Sequence, residues 1–190
     1  HAAVSKKSGD IFITDGYGNF RVHKYSPEGD LIKSWGEPGI DPGQFLRPHN
    51  ITVDDSDRVI VADREAHRVQ VFDTDGNILD VWNNIFLPNG LTIGPDGNIY
   101  IGELPGATQS DPTPPNHGHN ISIMSPEGER LARIGHPEEG EEPGKFIAPH
   151  GIGVDSHGSI YVGEVSFTIR GRHMEPPKEL RSLSKLQKVV

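Results

Sequence analysis

Two histidines, His49 and His150, each follow a proline in the related phrases "FLRPHNITVDDSDRVIVADRE" (45–65) and "FIAPHGIGVDSHGSIYVGEV" (146–165), 101 residues apart. A third phrase between them, "FLPNGLTIGPDGNIYIGEL" (86–104), carries Asn89 at the same place. Neutral imidazole nitrogens are good Zn²⁺ donors, and a catalytic zinc keeps one position open for water or substrate. The chain has no cysteine, so any metal must be held by imidazole and carboxylate. The same place also suits a histidine that bonds the backbone at a strand start, but Asn89 shows that the repeat itself does not demand histidine.

Tyr17 in "DGYGN" and Arg64 in "ADRE" are the companion candidates. A phenol near a metal can accept or return a proton, and a guanidinium at the same place can receive a carboxylate. Tyr17 also reads as an ordinary turn with a half-buried aromatic, and Arg64 as a partner of Glu65. "HGH", His117 and His119 in the Pro-rich insertion 105–119, is a further source of imidazole, as is His1. Arg170 and Arg172, in the insertion 169–182, would add positive potential or form a solvated basic loop.

The elements that must position these residues recur along the chain. In each phrase the His or Asn lies 14 residues before an acid: Asp63, Glu103 or Glu164. Two short apolar strands joined by a tight turn would place the two ends side by side at the open end of an antiparallel hairpin. A third and a fourth strand follow around turns such as "DTDGN" and "SPEGE". Because Asp15, Asp63, Glu103 and Glu164 recur in every copy, their expected role is structural, bonding loop amides.

Four strands at a period of roughly 40 to 50 residues predict an all-β chain of β-propeller blades. About four blades fit, near 1–36, 42–83, 85–135 and 143–190, with about fifteen strands in all. They form one propeller domain or part of one, and the last copy ends without a fourth strand. Open blade edges leave backbone groups unpaired, so closure by the four blades, by a second copy of the chain, or within a longer propeller is expected. The innermost first strands of a propeller line its channel, which directs His49, Asn89 and His150 to one mouth.

The formal net charge of −9 argues against a nucleic-acid surface. The imbalance is uneven: residues 165–190 carry +4 and the first 164 residues carry −13. No run is long and apolar enough for a membrane span and no signal peptide is visible, so no membrane partner is expected.

The phrases "PGQFLRPHNITVDDSDRVIVADREAHRVQVFDTDGNIL" and "PGKFIAPHGIGVDSHGSIYVGE" resemble NHL repeats. The succession "DGYGNFRVHKYSPEGDLIKSWGE", "PGQFLRPHNI", "VADREAHRVQVF" and "APHGIGVDSHGSIYVGE" resembles the last two-thirds of the peptidyl-α-hydroxyglycine α-amidating lyases, six-bladed propellers with zinc on the axis. That resemblance implies His49 and His150 as two of three zinc ligands, Tyr17 as the catalytic tyrosine and Arg64 as a site arginine. It also implies C–N cleavage of a peptidyl or small hydroxy-acid substrate to an amide and glyoxylate, and a secretory setting. Ala148 stands in place of the family's Met, Gly151 in place of an Asp linked to structural Ca²⁺, and Gly18 in place of a disulfide cysteine; neither calcium nor a disulfide is expected. The alternative expectation is a non-catalytic NHL module that binds a peptide or protein partner. A third, a sugar-lactone type hydrolase, would need several carboxylate or Asn ligands, of which Asn89 is the only hint.

Overall fold

The structure, a computed structural model, describes residues 1–106 and 117–188. These residues form four antiparallel sheets, in two compact units, His1–Pro88 and Asn89–Val190. The first unit holds β1 (Ala2–Val4), β2 (Ile11–Asp15), β3 (Arg21–Tyr25) and β4 (Leu31–Trp35), then β5 (Pro48–Val53), β6 (Val59–Asp63), β7 (Arg68–Phe72) and β8 (Ile78–Trp82). The second is built from β9 (Pro88–Ile93), β10 (Ile99–Glu103), β11 (Asn120–Met124), β12 (Arg130–Gly135), β13 (Pro149–Val154), β14 (Ile160–Glu164) and β15 (Leu183–Leu186). Strands follow chain order in every sheet; three sheets have four strands and the last has three. The all-β, blade-by-blade organisation read from the repeat is therefore the observed one, including the fifteen strands.

Local chemistry explains the hairpins. In "DTDGN" the Asp73 carboxylate accepts from the amides of Asp75 and Asn77, and Gly76 takes the positive φ of 80° that closes the turn. In "DDSDR" Asp57 supplies that conformation with φ 66°, which Asp tolerates better than most residues. Alternation buries one side of β2 and β3, whereas β6, β7 and β10 are buried along their whole length. In the first unit Phe12, Val22, Phe45, Ile51, Val61 and Phe72 form a closed core. Trp35 lies against it, 6.2 Å from Phe12 and 5.9 Å from Phe72 between ring centroids. In the second unit Tyr100, Ile121, Phe146, Ile160 and Val162 play this part.

Tyr100 donates its phenolic hydrogen to Asp96 at 2.9 Å, and burial together with Asp96 pushes its pKa up to about 12. A phenol whose folded value exceeds its unfolded value stabilises the fold fully below the unfolded value and loses that contribution as pH rises through the folded one. Spectrophotometric titration is therefore expected to show one tyrosine of the four ionising late, near pH 12, and Tyr100→Phe should remove that late step. Loss of a different step would contradict the assignment.

The insertion 169–182 is partly helical: α1 (Ser166–Ile169) precedes a 3-10 turn, Gly171–His173. Its cations meet the acidic loop 138–142, with Arg170 Nε 2.5 Å from Glu139 and Lys178 3.4 Å from Glu141. Arg170 is thus paired, because the "EEGEE" run supplies carboxylates within reach. Among the described residues no helix is long and apolar enough to cross a membrane.

Candidate functional site

The acids that close the second strands set the site. Asp63 is fully buried, and its Oδ1 accepts from the amides of Leu46 and Arg47, each at 2.9 Å. Glu164 does the same in the second unit, accepting from Ile147 at 2.6 Å and Ala148 at 3.1 Å. The loop-amide role expected for the recurring acids is observed for Asp63 and Glu164, whereas Asp15 accepts from the Asn19 side chain and Glu103 from the Ser122 hydroxyl and Arg133. Arg68 completes the first clamp, donating to Asp63 Oδ2 at 3.0 Å and to the carbonyls of Ile40 and Gln44. Arg181 has the matching place in the second, 3.6 Å from Glu164 and bonded to the Lys145 carbonyl at 2.6 Å. Burial pushes the Asp63 carboxyl above its ordinary value, against the Arg47 amide, Arg68 and the Leu46 amide, which pull it down.

The clamped amides lie directly before each Pro-His pair and force an irregularity on the strand. Pro48 pairs with Asp63 and Asn50 with Ala62, so His49 is the extra residue of a β-bulge. His150 is likewise extra, between Pro149↔Glu164 and Gly151↔Gly163. The sequence pattern placed His49 itself opposite Asp63; the partner is Pro48, one residue earlier, because the clamp seizes the amides of 46 and 47. Bulges are frequent beside active sites because they re-aim one side chain without disturbing the alternation on either side.

Three of the candidates meet in the first unit. Tyr17 Oη lies 3.1 Å from His49 Nε2 and receives a hydrogen bond from Arg64 Nη1 at 3.2 Å. Gly16 makes this approach feasible: a Cβ there would come within 2.2 Å of the Pro48 carbonyl oxygen. The Tyr17 side chain is 72% exposed rather than half-buried, since the loop carries its ring outward over Arg47 and Arg64. Arg64 stands on a 3-10 turn, Arg64–Ala66, and its amide bonds the Arg47 carbonyl at 2.9 Å. Burial opposes its charge, but Glu65 and Tyr17 outweigh burial and hold the guanidinium above its usual value.

Glu65 is the partner of Arg64 that the sequence suggested, and Arg47 is the residue that escaped the sequence reading. Arg47 places its guanidinium carbon 5.0 Å from the Tyr17 ring centroid, and Glu65 bridges both cations, 3.2 Å from Arg47 and 2.9 Å from Arg64. The available signal was "RPH" against "LPN" and "APH": only one copy puts a cation before the proline. His150 belongs to the second unit, at its own bulge. His119 there is buried, with Nδ1 2.6 Å from the Ile147 carbonyl. Most of the insertion that carries "HGH" lies outside the described residues. A cleft of about 700 Å³ in the second unit, flanked by Tyr100, Ile134 and Leu186, is lined by none of the candidates.

The imidazole of His49 is a donor of the kind zinc takes, and it stands at a bulge with its Nε2 facing the Tyr17 phenol. Among the described residues no three His, Cys, Asp or Glu side chains are grouped as a metal-ligand set.

Comparison with known proteins gives the class first. The NHL-repeat profile matches residues 45–72. The WD40 β-propeller domain of Doa1 superposes with a TM-score of 0.61 over 86% of this chain and 47% of that one, at 16% identity, which shows the fold alone. The chain is built of β-propeller blades and carries an NHL repeat. More particularly, it is 43% identical to human NHL repeat-containing protein 3 over 100 residues, 50% of this chain and 29% of the relative. It is 30% identical to peptidyl-alpha-hydroxyglycine alpha-amidating lyase 1 of Drosophila melanogaster over 177 residues, 84% of this chain and 32% of the relative. The chain thus spans about a third of the length of these curated relatives.

Proposed function

We propose that the chain is the site-bearing part of a zinc-dependent lyase that cleaves the C–N bond of a peptidyl-α-hydroxyglycine, giving a peptide amide and glyoxylate. The observation that carries this reading is the Tyr17–His49–Arg64 contact, with a phenol oxygen 3.1 Å from an imidazole and 3.2 Å from a guanidinium. His49 and His150 would hold the ion, which when bound supplies Lewis-acid polarisation of the substrate. Tyr17 relays the proton: its oxygen takes the proton of the substrate hydroxyl while its own phenolic proton passes to the departing amide nitrogen, as the C–N bond breaks and the hydroxyl carbon becomes the carbonyl of glyoxylate. The two guanidiniums place positive charge beside the oxygen that exchanges the proton. Arg64, fixed by Glu65, holds the phenol in its orientation.

Metal analysis and turnover test this together. The purified protein is expected to contain zinc, to turn over a peptidyl-α-hydroxyglycine, and to lose both in His49→Ala and His150→Ala. Zinc-free active protein, or turnover indifferent to His150→Ala, would sink the proposal.

The second reading is a binding module for a peptide or protein partner. It is favoured by the higher identity to NHL repeat-containing protein 3, and by the solvent-facing aromatic-guanidinium surface around Tyr17. Under that reading partner binding survives chelation and the loss of His49.

A further inference from the structure

We propose that Arg47, not Arg64, is the residue that receives a ligand carboxylate, and that it makes the site selective for ligands ending in one. The inference shares with the lyase reading only the premise that the ligand carries a carboxylate.

A guanidinium has five N–H donors in a planar fork, and carboxylates prefer two of them side by side. The donors of Arg64 are engaged. Its Nε reaches both Glu65 oxygens at 3.1 and 3.2 Å, its Nη2 reaches Oε1 at 2.9 Å, and its Nη1 reaches the Tyr17 hydroxyl. The Nε–Nη2 edge, the one suited to a second carboxylate, is therefore filled by the adjacent residue in the chain. Receiving a ligand there would require Glu65 to leave and would release Tyr17 as well.

Arg47 is held differently. One Nη1 contact to Glu65 at 3.2 Å and the face of Tyr17 fix its guanidinium, while its Nε is shielded from water and has no hydrogen-bond partner among the described residues. The shielded Nε is out of a ligand's reach, so a carboxylate would meet Arg47 end-on at its outer Nη groups, of which Nη2 makes no hydrogen bond among the described residues. The backbone at this position is fixed on both sides, with its amide on Asp63 and its carbonyl on the Arg64 amide. Arg47 is thus presented from a rigid support, with its guanidinium over the ring of the same phenol that faces His49. With Glu65 the two arginines keep one net positive charge at an exposed aromatic face, which attracts an anion without fixing its remainder.

Calorimetric titration of the full chain tests the assignment without requiring turnover or metal. The probes are a short peptide ending in glycine with a free carboxylate, and the same peptide as its carboxamide. Wild-type protein is expected to bind the carboxylate at least about tenfold more tightly, corresponding to about 1.4 kcal/mol. Arg47→Ala and Arg47→Gln are both expected to erase that preference with their melting temperatures close to wild type, and Arg64→Ala to keep it within about threefold. Two results would overturn the proposal: no preference in the wild type, or a preference that survives loss of Arg47 and vanishes with Arg64. A protein without zinc or turnover that still shows the Arg47-dependent preference would refute the lyase reading and leave this assignment standing.

Discussion

Asp63→Ala is expected to destabilise the unit His1–Pro88 by about 3 to 5 kcal/mol, the range found when one partner of a buried ion pair is removed. The carboxylate is fully buried and accepts from two amides, from Arg68 and from Gln70 at 3.4 Å. Its loss strands Arg68, itself 6% exposed, and two backbone donors. Burying the charge is nonetheless unfavourable, and so the folded carboxyl lies above its ordinary value. A carboxyl raised in this way favours folding when protonated: its contribution is greatest below the unfolded value and declines as pH rises through the folded one. Asp15, Asp55 and Asp73 lie below their ordinary values and make stability rise with pH across the same range, so urea unfolding should show a rise that Asp63→Asn steepens by removing the opposing contribution. A denaturation midpoint unchanged in Asp63→Ala would mean that the clamp is not what holds the loop.

Tyr17→Phe should leave stability within about 0.5 kcal/mol, as for other exposed substitutions, because the ring remains and only the hydroxyl is lost. Turnover of a peptidyl-α-hydroxyglycine should fall by about 10² to 10⁴, the usual contribution of a positioned proton acceptor, with kcat taking the loss and KM nearly constant. The hydroxyl is the atom that touches both His49 and Arg64, so its removal separates chemistry from packing. Activity within tenfold of wild type would remove Tyr17 from the proposed step.

Most of the fold is legible in the chain because a blade strand is short and ends at a turn that demands Asp, Ser or Gly. β6 and β8 follow from "VIVAD" and "ILDVW" without adjustment. The helical turn at Ser166–Ile169 is less legible: "SFTI" has no cap and no period, and a hydrogen bond from Ser166 Oγ to the Arg181 carbonyl, distant in sequence, helps fix its start. Of the candidate site, His49 is visible because two copies carry histidine where a third has Asn89, Tyr17 and Arg64 stand out within their own copies, and Glu65 is visible as the neighbour that can pair with Arg64. The bulge, Arg47 and the bridge that Glu65 makes to both arginines are not. They depend on which amide a buried carboxylate seizes and on which way two neighbouring guanidiniums turn, and both are set by the packing of one blade on another. The clamp arginines lie in plain sight in "HRVQV" and "LRSLS", but an arginine in a strand pattern reads as surface until its carboxylate is known to be buried.

The bulge at His49 also bears on how such a chain can diverge. A supernumerary residue stands outside the in-and-out phase of its strand, so exchanging its side chain leaves every neighbour on its own face. Deleting it would close the bulge and leave Pro48 opposite Asp63 and Asn50 opposite Ala62, on the faces they already hold. The bulge therefore divides the strand into a length that tolerates no slip and a single site open to substitution. Blades that share one clamp can accordingly carry different chemistries at one address.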